Sequence, residues 1–529
     1  MMEGIESQKV ISLGGLNSNV NHLQLSDLEP GGAISLVNFE SSLYGGYRRL
    51  SGYAPYITNS PEVDSAGAEG RIYSVAIFGT SVIAARKQKS GNTYDFYIAS
   101  GTTWTKLTTS FTKSSVGVTR IRWDTFNFNG TEKIIFVDGV NPAMIYDGTT
   151  WTQIKSTNTG ASYAQAGGNQ AIDRPAYVEV FKNHIFIAQD NLVAHSAPLS
   201  DYDWTVASGA GQLPIGYKIV QLKLFRNNLY AFGINNIKTI TVSDTSFVVN
   251  EVASNIGCLA SDSVVEIGGN LVFLSQDGFR PISGTDRLND IELESISRKI
   301  QQLVASRISS SNMNELCSVL VRNKSQVRFF FTDPNAPTQD NRGIIGCIRQ
   351  QNEGGAGWEW GELKGFKASC AASAYIGSAE LVLHGTHDGK VYRQEVGNTF
   401  DGMPVEAVYQ TPYLDFGDAG LRKTMKKIKL FVRPEGLMTL NTRLTYDWGN
   451  SSKLNPSGYS VQTDENGNIS LYGTAIYDVN VYSSLPVPVL VSNVQGSGFS
   501  VQMSYSTSDT NPPYTIQGAL YEFNVEGRK

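Results

Sequence analysis

A chain of 529 residues exceeds the ~250–300 residues at which a single hydrophobic core stops growing, so several domains or one large repeat-built domain is expected. Its 25 Tyr, 23 Phe and 52 Gly, with long stretches rich in Val, Ile and Thr, favour strands and tight turns and predict a mostly β protein. Lys and Arg total 43 against 48 Asp and Glu, a formal charge of −5 with no basic block. That balance excludes tight sequence-specific binding of nucleic acid by a basic face, though not a wall along which DNA slides.

Residues 1–65 read as an N-terminal arm, with one short helix predicted to start near Pro30. The opening "MMEGIESQKVISLGG" lacks a charged start followed by a long apolar core, and no run approaches the ~18 apolar residues of a membrane span. Neither secretion by a standard signal nor membrane insertion is expected.

From 66 to 400 one grammar recurs. In "VEVFKNHIFIAQDN" an apolar strand ends at Phe181, Lys182-Asn183-His184 turn the chain, and Ile185-Phe186-Ile187 resume it. The same pattern centres on Phe225 and Ile267, with looser copies at Phe78, Phe128, Val321 and Ile376. These are hairpins with the turn residues that short β-loops require. Seven anchors spaced by 42 to 55 residues predict units of four antiparallel strands, hence a seven-bladed β-propeller, with six or eight blades also allowed. A tandem of β-sandwiches is the competing reading. Asp138-Gly139, Asp147-Gly148, Asp277-Gly278 and Asp388-Gly389 are expected hairpin turns. The pentapeptide Gly-Thr-Thr-Trp-Thr occurs at Gly101 and again at Gly148, where a third strand should turn into a fourth.

One segment breaks the β pattern. In "RLNDIELESISRKIQQLVASRI" apolar Leu293, Ile296, Ile300, Leu303 and Val304 keep helical spacing, and Asn289 with Glu292 resembles a capping box, predicting a helix over 290–307. It either covers its own blade or is offered to a neighbouring subunit. Residues 401–529 carry longer alternating strands, among them "MKKIKLFVRPEG", "LNTRLTYDW", "AIYDVNVYSS" and "IQGALYEFNV", and read as an antiparallel β-sandwich.

Chemistry-bearing motifs are weak. Asp147 and Trp151 are four residues apart where the Asp-box of sialidase-like propellers needs five, and Ile145 replaces its leading hydroxyl. His384, His387 and Asp388 offer three metal ligands, yet they fall where an Asp-Gly turn is due. "DENGNIS", Asp464 to Ser470, resembles the start of a calcium loop without the glutamate at its twelfth position, so a hairpin turn is the better reading. "FRPI", Phe279 to Ile282, is an isolated arginine motif, and His22, His184 and His195 are scattered singly. Cys258, Cys317, Cys347 and Cys370 form no Cys-x-x-Cys pair and are expected to be buried free thiols, in keeping with assembly in a reducing cytoplasm. No catalytic, cofactor-binding or metal-binding residues are therefore assigned, and the chain is not expected to be an enzyme.

Several phrases resemble the propeller proteins that form the tail nozzle, or tail hub, of short-tailed bacteriophages. They are Gly14-Gly15-Leu16-Asn17, the Leu28-Glu29-Pro30 to Asn38 segment, "YGGYRRLSGY" from Tyr44 to Tyr53, and "VDGVNPAMIYDGTTW" from Val137 to Trp151. "PISGTDRLNDIELESISRKIQ" from Pro281 to Gln301 and the closing "YTIQGALYEFNVEGRK" from Tyr514 to Lys529 continue the series in order. The resemblance implies a virion structural protein, assembled in the host cytoplasm as a ring of about six copies below portal and adaptor. Tail fibres or spikes would dock outside, and DNA would pass through the channel without sequence-specific binding. A glycan-binding or glycan-hydrolysing propeller and a cellular propeller scaffold are the rival classes.

Overall fold

In the computed structural model the described residues are 5–58, 70–156, 170–243, 246–282, 295–337, 341–350, 356–449, 455–462 and 488–527. Seven strands stand side by side around one axial cavity: Ile72–Phe78, Arg122–Phe126, Tyr177–Phe181, Gln221–Phe225, Val265–Ile267, Cys317–Val321 and Ala368–Ile376. Each is the first strand of an antiparallel sheet that runs outward. Six of these sheets are free-standing, five with four strands and one, Val265 to Pro281, with three. Counted so, the propeller has six blades, a number the sequence allowed for. The four strands from Cys317 to Phe366 fill the remaining place in the ring, but belong to a nine-stranded sheet that continues into the C-terminal region.

Turn chemistry explains why the hairpins form. Lys182 and Asn183 (φ 49° and 61°) and Gly268 and Gly269 (61° and 72°) adopt the paired left-handed conformations that match the twist of two antiparallel strands. Six anchors read from the sequence end first strands at Phe78, Phe181, Phe225, Ile267, Val321 and Ile376. The seventh is corrected by two residues: the strand ends at Phe126, which pairs with Lys133. The intervening loop is longer than a two-residue turn, and Phe128 packs on Phe126 at 4.8 Å instead of extending the strand.

The repeated pentapeptide sits where expected. It joins Tyr94–Ser100 to Thr103–Leu107 and Ala143–Tyr146 to Trp151–Ile154, with Gly101 and Gly148 at φ 59° and 96°. Trp151 stacks on Tyr146 of its own sheet at 4.7 Å and on Phe96 of the preceding sheet at 4.6 Å. Trp104 lies in the core that also holds Ile72, Cys370 and Leu383, and this core seals the last sheet against the first. Aromatic bulk at equivalent positions thus supplies the apolar area between sheets.

The N-terminal segment is woven through the molecule. Tyr53–Pro55 forms the outer strand of the last blade sheet, pairing with Val391–Gln394. Glu6–Ile11 and Tyr47–Arg49 pair with the closing strand Tyr514–Glu526. Ser35–Val37 bridges Ala356–Phe366 and Val405–Gln410, so it stitches the propeller to the sandwich. The helix expected from Pro30 instead spans His22–Leu28 and ends before it. A proline lacks the N–H that would continue an existing helix, so Pro30 marks an end.

Two sheets form the C-terminal sandwich. One contains Arg422–Pro434 and Tyr514–Glu526, the other Val405–Gln410, Thr439–Tyr446 and Val501–Asp509. Leu430, Leu444, Met503, Tyr505 and Tyr521 are buried in their common core. The helix expected over 290–307 is described from a turn at Arg298–Ile300 and continues as Gln301–Ser310. It lays Ile300 and Val304 against the core that contains Phe279 and Trp360. Asn289, Glu292, "DENGNIS" and "AIYDVNVYSS" lie outside the described residues.

Candidate functional site

Propellers gather their innermost strands around an axis, so that axis is the first place to look for convergent chemistry. Here it holds a cavity of about 240 Å³ lined by residues of all seven inner strands. In a strand, residues two apart share a face. "RIRWD", Arg120 to Asp124, therefore aligns Arg120, Arg122 and Asp124, while Tyr177 aligns with Glu179 and Gln221 with Lys223.

Arg120 and Arg122 cross the ring to Asp262, which precedes the fifth inner strand. Asp262 Oδ2 lies 3.0 Å from Arg120 Nη1 and 2.9 Å from Arg122 Nη2, and Oδ1 accepts from Arg122 Nε at 3.1 Å. Arg120 also donates to the carbonyls of Leu316 (2.8 Å), Glu315 (3.0 Å) and Ser369 (2.7 Å). One guanidinium thereby ties the second, fifth, sixth and seventh sheets. Arg122 donates to Ala176 O at 3.2 Å and lies 4.8 Å over the Tyr177 ring. Burial raises the Asp262 carboxyl, but Arg122 and then Arg120 outweigh it and hold the group below the usual carboxylate range. Burial likewise works against the Arg120 charge, and Asp262 reverses the effect.

The second cluster links neighbouring sheets. Asp124 Oδ2 accepts from Val180 N at 2.7 Å, and Glu179 Oε2 accepts from Leu224 N at 3.3 Å. Lys223 Nζ reaches back to Glu179 Oε1 at 2.5 Å. Asp124, Glu179 and Lys223 each stand two residues before the end of their inner strand, so they are equivalent positions in successive sheets. Burial, then the nearby Glu179, pushes the Asp124 carboxyl up to about 7, against the pull of Lys223. Burial disfavours the Lys223 ammonium, but Glu179 outweighs it and raises the group.

The sequence candidates fall elsewhere. Asp147 accepts from the Thr150 hydroxyl (2.6 Å), then from Thr150 N (2.7 Å) and Thr149 N (2.8 Å), which holds its carboxyl below the usual range and makes it a turn lock. His384 is buried beside Tyr392, its Nδ1 3.2 Å from Gln394 Nε2, and burial lowers it to about 3. Asp388 and Gly389 form the expected turn between Ala379–Thr386 and Val391–Gln394. No group of three His, Cys, Asp or Glu among the described residues stands close enough to hold a metal ion. Phe279 stacks between Phe329 (4.2 Å) and Trp360 (5.2 Å), and Arg280 pairs with Asp277. All four cysteines are free and buried, and burial raises each thiol. His184 and His195, isolated in the sequence, open the strand His184–Gln189 and close the strand Leu192–His195, and meet at a ring distance of 5.2 Å.

Sequence reasoning missed the axial residues. The alternation in "RIRWD" was a local signal, yet its partner Asp262 is 140 residues away and joins it only through ring closure.

The geometry defines a β-propeller whose axial charges are engaged with one another and with backbone across the ring. No family model matches the chain, and no curated protein matches it. Among solved structures it is similar to the extracellular domain of a hybrid two-component system protein from B. thetaiotaomicron, at 9% identity and a TM-score of 0.36. That likeness covers 73% of this chain and 43% of the other, so the chain spans under half the length of that relative.

Proposed function

We propose that this chain is a virion structural protein, a subunit of the ring that forms the tail nozzle or hub of a short-tailed bacteriophage, and that its role is mechanical and not catalytic. One observation carries the reading: two of the phrases that resemble that family, around Gly15 and from Tyr44 to Tyr53, are joints of the fold among the described residues. Arg49 of "YGGYRRLSGY" is fully buried, pairs with Asp509 at 3.1 Å and donates to the carbonyl of Asn511. Arg48 bridges Glu40 (2.9 Å) and Glu435 (2.5 Å), and Tyr53 closes the last blade sheet. Gly15 lies so close to Trp360 N that a Cβ there would stand 2.8 Å away.

In this reading about six copies surround a common channel, with closed cyclic symmetry. Portal and adaptor sit at one end, and fibres or spikes dock outside. DNA passes between subunits, because Arg120 and Asp262 cross the propeller's own axis. A chain of net charge −5 supplies a wall that repels phosphate and avoids the affinity that counterion release gives a basic surface. Assembly takes place in the host cytoplasm and the finished protein resides in the virion tail.

The test is reconstitution. Purified protein mixed with portal and adaptor complexes should join them as a ring. A protein that stays monomeric with those complexes and is missing from purified particles would sink the reading.

A further inference from the structure

Strands of a sandwich alternate core-facing residues with outward-facing polar ones. One outer face of the C-terminal sandwich departs from that rule. Across the four strands Val489–Asn493, Arg422–Pro434, Tyr514–Glu526 and Glu6–Ile11, the residues Leu490, Leu430, Ala519 and Val10 stand in register and are buried in the sandwich core. The rows on either side of them point the other way. One reads Val491, Lys429, Leu520, Lys9 and the other Val489, Phe431, Gly518, Ile11. Val491 and Ile11, on the two outer strands of the four, are 53% and 56% exposed, and Leu520, Phe431 and Val489 between them stay partly exposed. The face is therefore apolar and open across its width, with a notch where Gly518 carries no side chain.

Charge narrows what can cover it. The next outward row is Asn493, Lys427, Glu522 and Ser7, so the face sets Lys9, Lys427 and Lys429 against the single carboxylate of Glu522, which pairs with Lys429 at 2.5 Å. An apolar centre with a charged rim is the anatomy of a protein interface. Two copies meeting through this same face would set lysine against lysine, which disfavours an isologous dimer. The chain as a whole carries −5, so its surface away from this basic face is more acidic than the whole and complements it. The apolar side chains lie along flat strands with lysines among them and form no projecting loop, which suits a protein surface over insertion into a bilayer.

We infer that this face docks on an acidic surface of a second copy of the chain, a heterologous contact that repeats head to tail. Val491, Phe431, Leu520 and Ile11 supply the apolar centre, and Lys9 and Lys427 pair with carboxylates of the neighbouring copy. Heterologous contacts close into a ring when their rotation allows it. Closure of that ring is the one point at which the inference rests on the proposed function.

The test is sedimentation velocity of the full chain over a range of concentrations, at low and at high salt. The natural chain should associate beyond a dimer, and high salt should weaken the association because lysines contribute to it. Ile11→Glu and Val491→Glu, both at exposed side chains, should each weaken it by about tenfold, the scale of an interface hot spot, and leave the thermal melt unchanged. A chain that stays monomeric, a strict dimer, or association that neither substitution affects overturns the inference. A lowered melting temperature in both variants also overturns it, because the rows would then be covered within the chain. So does capture of a monomeric chain by phosphatidylglycerol vesicles that Ile11→Glu abolishes. Association insensitive to both substitutions would overturn this face and leave the ring standing, whereas a chain missing from particles would overturn the ring and leave the face.

Discussion

Asp124 accepts a hydrogen bond from the backbone of Val180 at 2.7 Å, across the seam between the second and third blade sheets. One sheet further on, Glu179 accepts from Leu224 N. The acids of two successive sheets therefore fasten the next sheet's backbone, and the third equivalent position, Lys223, closes the series by pairing backward.

Breaking that series at its middle leaves a charge unmatched. Glu179→Ala removes the partner of Lys223 and is expected to cost about 2 kcal/mol in denaturant unfolding, the scale of a charge-assisted hydrogen bond, because the Lys223 side chain keeps 34% of its surface in solvent. Glu179→Gln, which retains an acceptor for Leu224 N, should cost less.

The two axial acids should respond to pH with opposite signs. Asp124 has its folded value raised from 3.8 to about 7. The folded state binds its proton more tightly, so stability present in acid is lost as pH rises from about 4 to about 7. Asp262 is lowered, so its contribution is present above the ordinary aspartate value and is lost as pH falls through the folded value. Unfolding free energy measured across pH 4–8 should fall less steeply in Asp124→Asn than in the natural chain. Identical pH profiles would contradict the placement of Asp124.

Asp262→Ala strands two guanidiniums, and Arg120 alone links four sheets. We expect a loss of about 3–5 kcal/mol, the scale seen when a buried charge loses its partner, and broadened thermal unfolding. A loss under about 1 kcal/mol would mean that the axial network does not hold the ring.

Trp151→Ala should cost about 3 kcal/mol, because the ring fills the seam between Phe96 and Tyr146. Asp147→Ala, which unlocks an exposed turn, should cost about 1 kcal/mol. The reverse order would revive a chemical role for this motif.

Much of the ring was legible because hairpin turns are local: Lys182-Asn183 and Gly268-Gly269 declare their conformation within two residues. The anchor at Phe128 misled because its polar loop hides where the strand ends. Pro30 misled because proline begins one helix and ends another with equal ease, and only the preceding His22–Leu28 decides which. Neither the strand Tyr53–Pro55 closing a sheet over 330 residues away nor the clamp on Asp262 has a local signature. Each depends on which ends of the chain the fold brings together. The meeting of His184 and His195 was hidden for the same reason, the two imidazoles being scattered singles until a shared carbonyl aligns them.

Quantitative mass spectrometry of purified particles, with cross-linking to neighbouring subunits, tests the nozzle assignment. This chain should be present at about six copies per particle, the number of one closed ring, cross-linked to itself and to portal or adaptor proteins. Its absence from particles, or its presence without self-cross-links, would rule out a nozzle ring built of this chain.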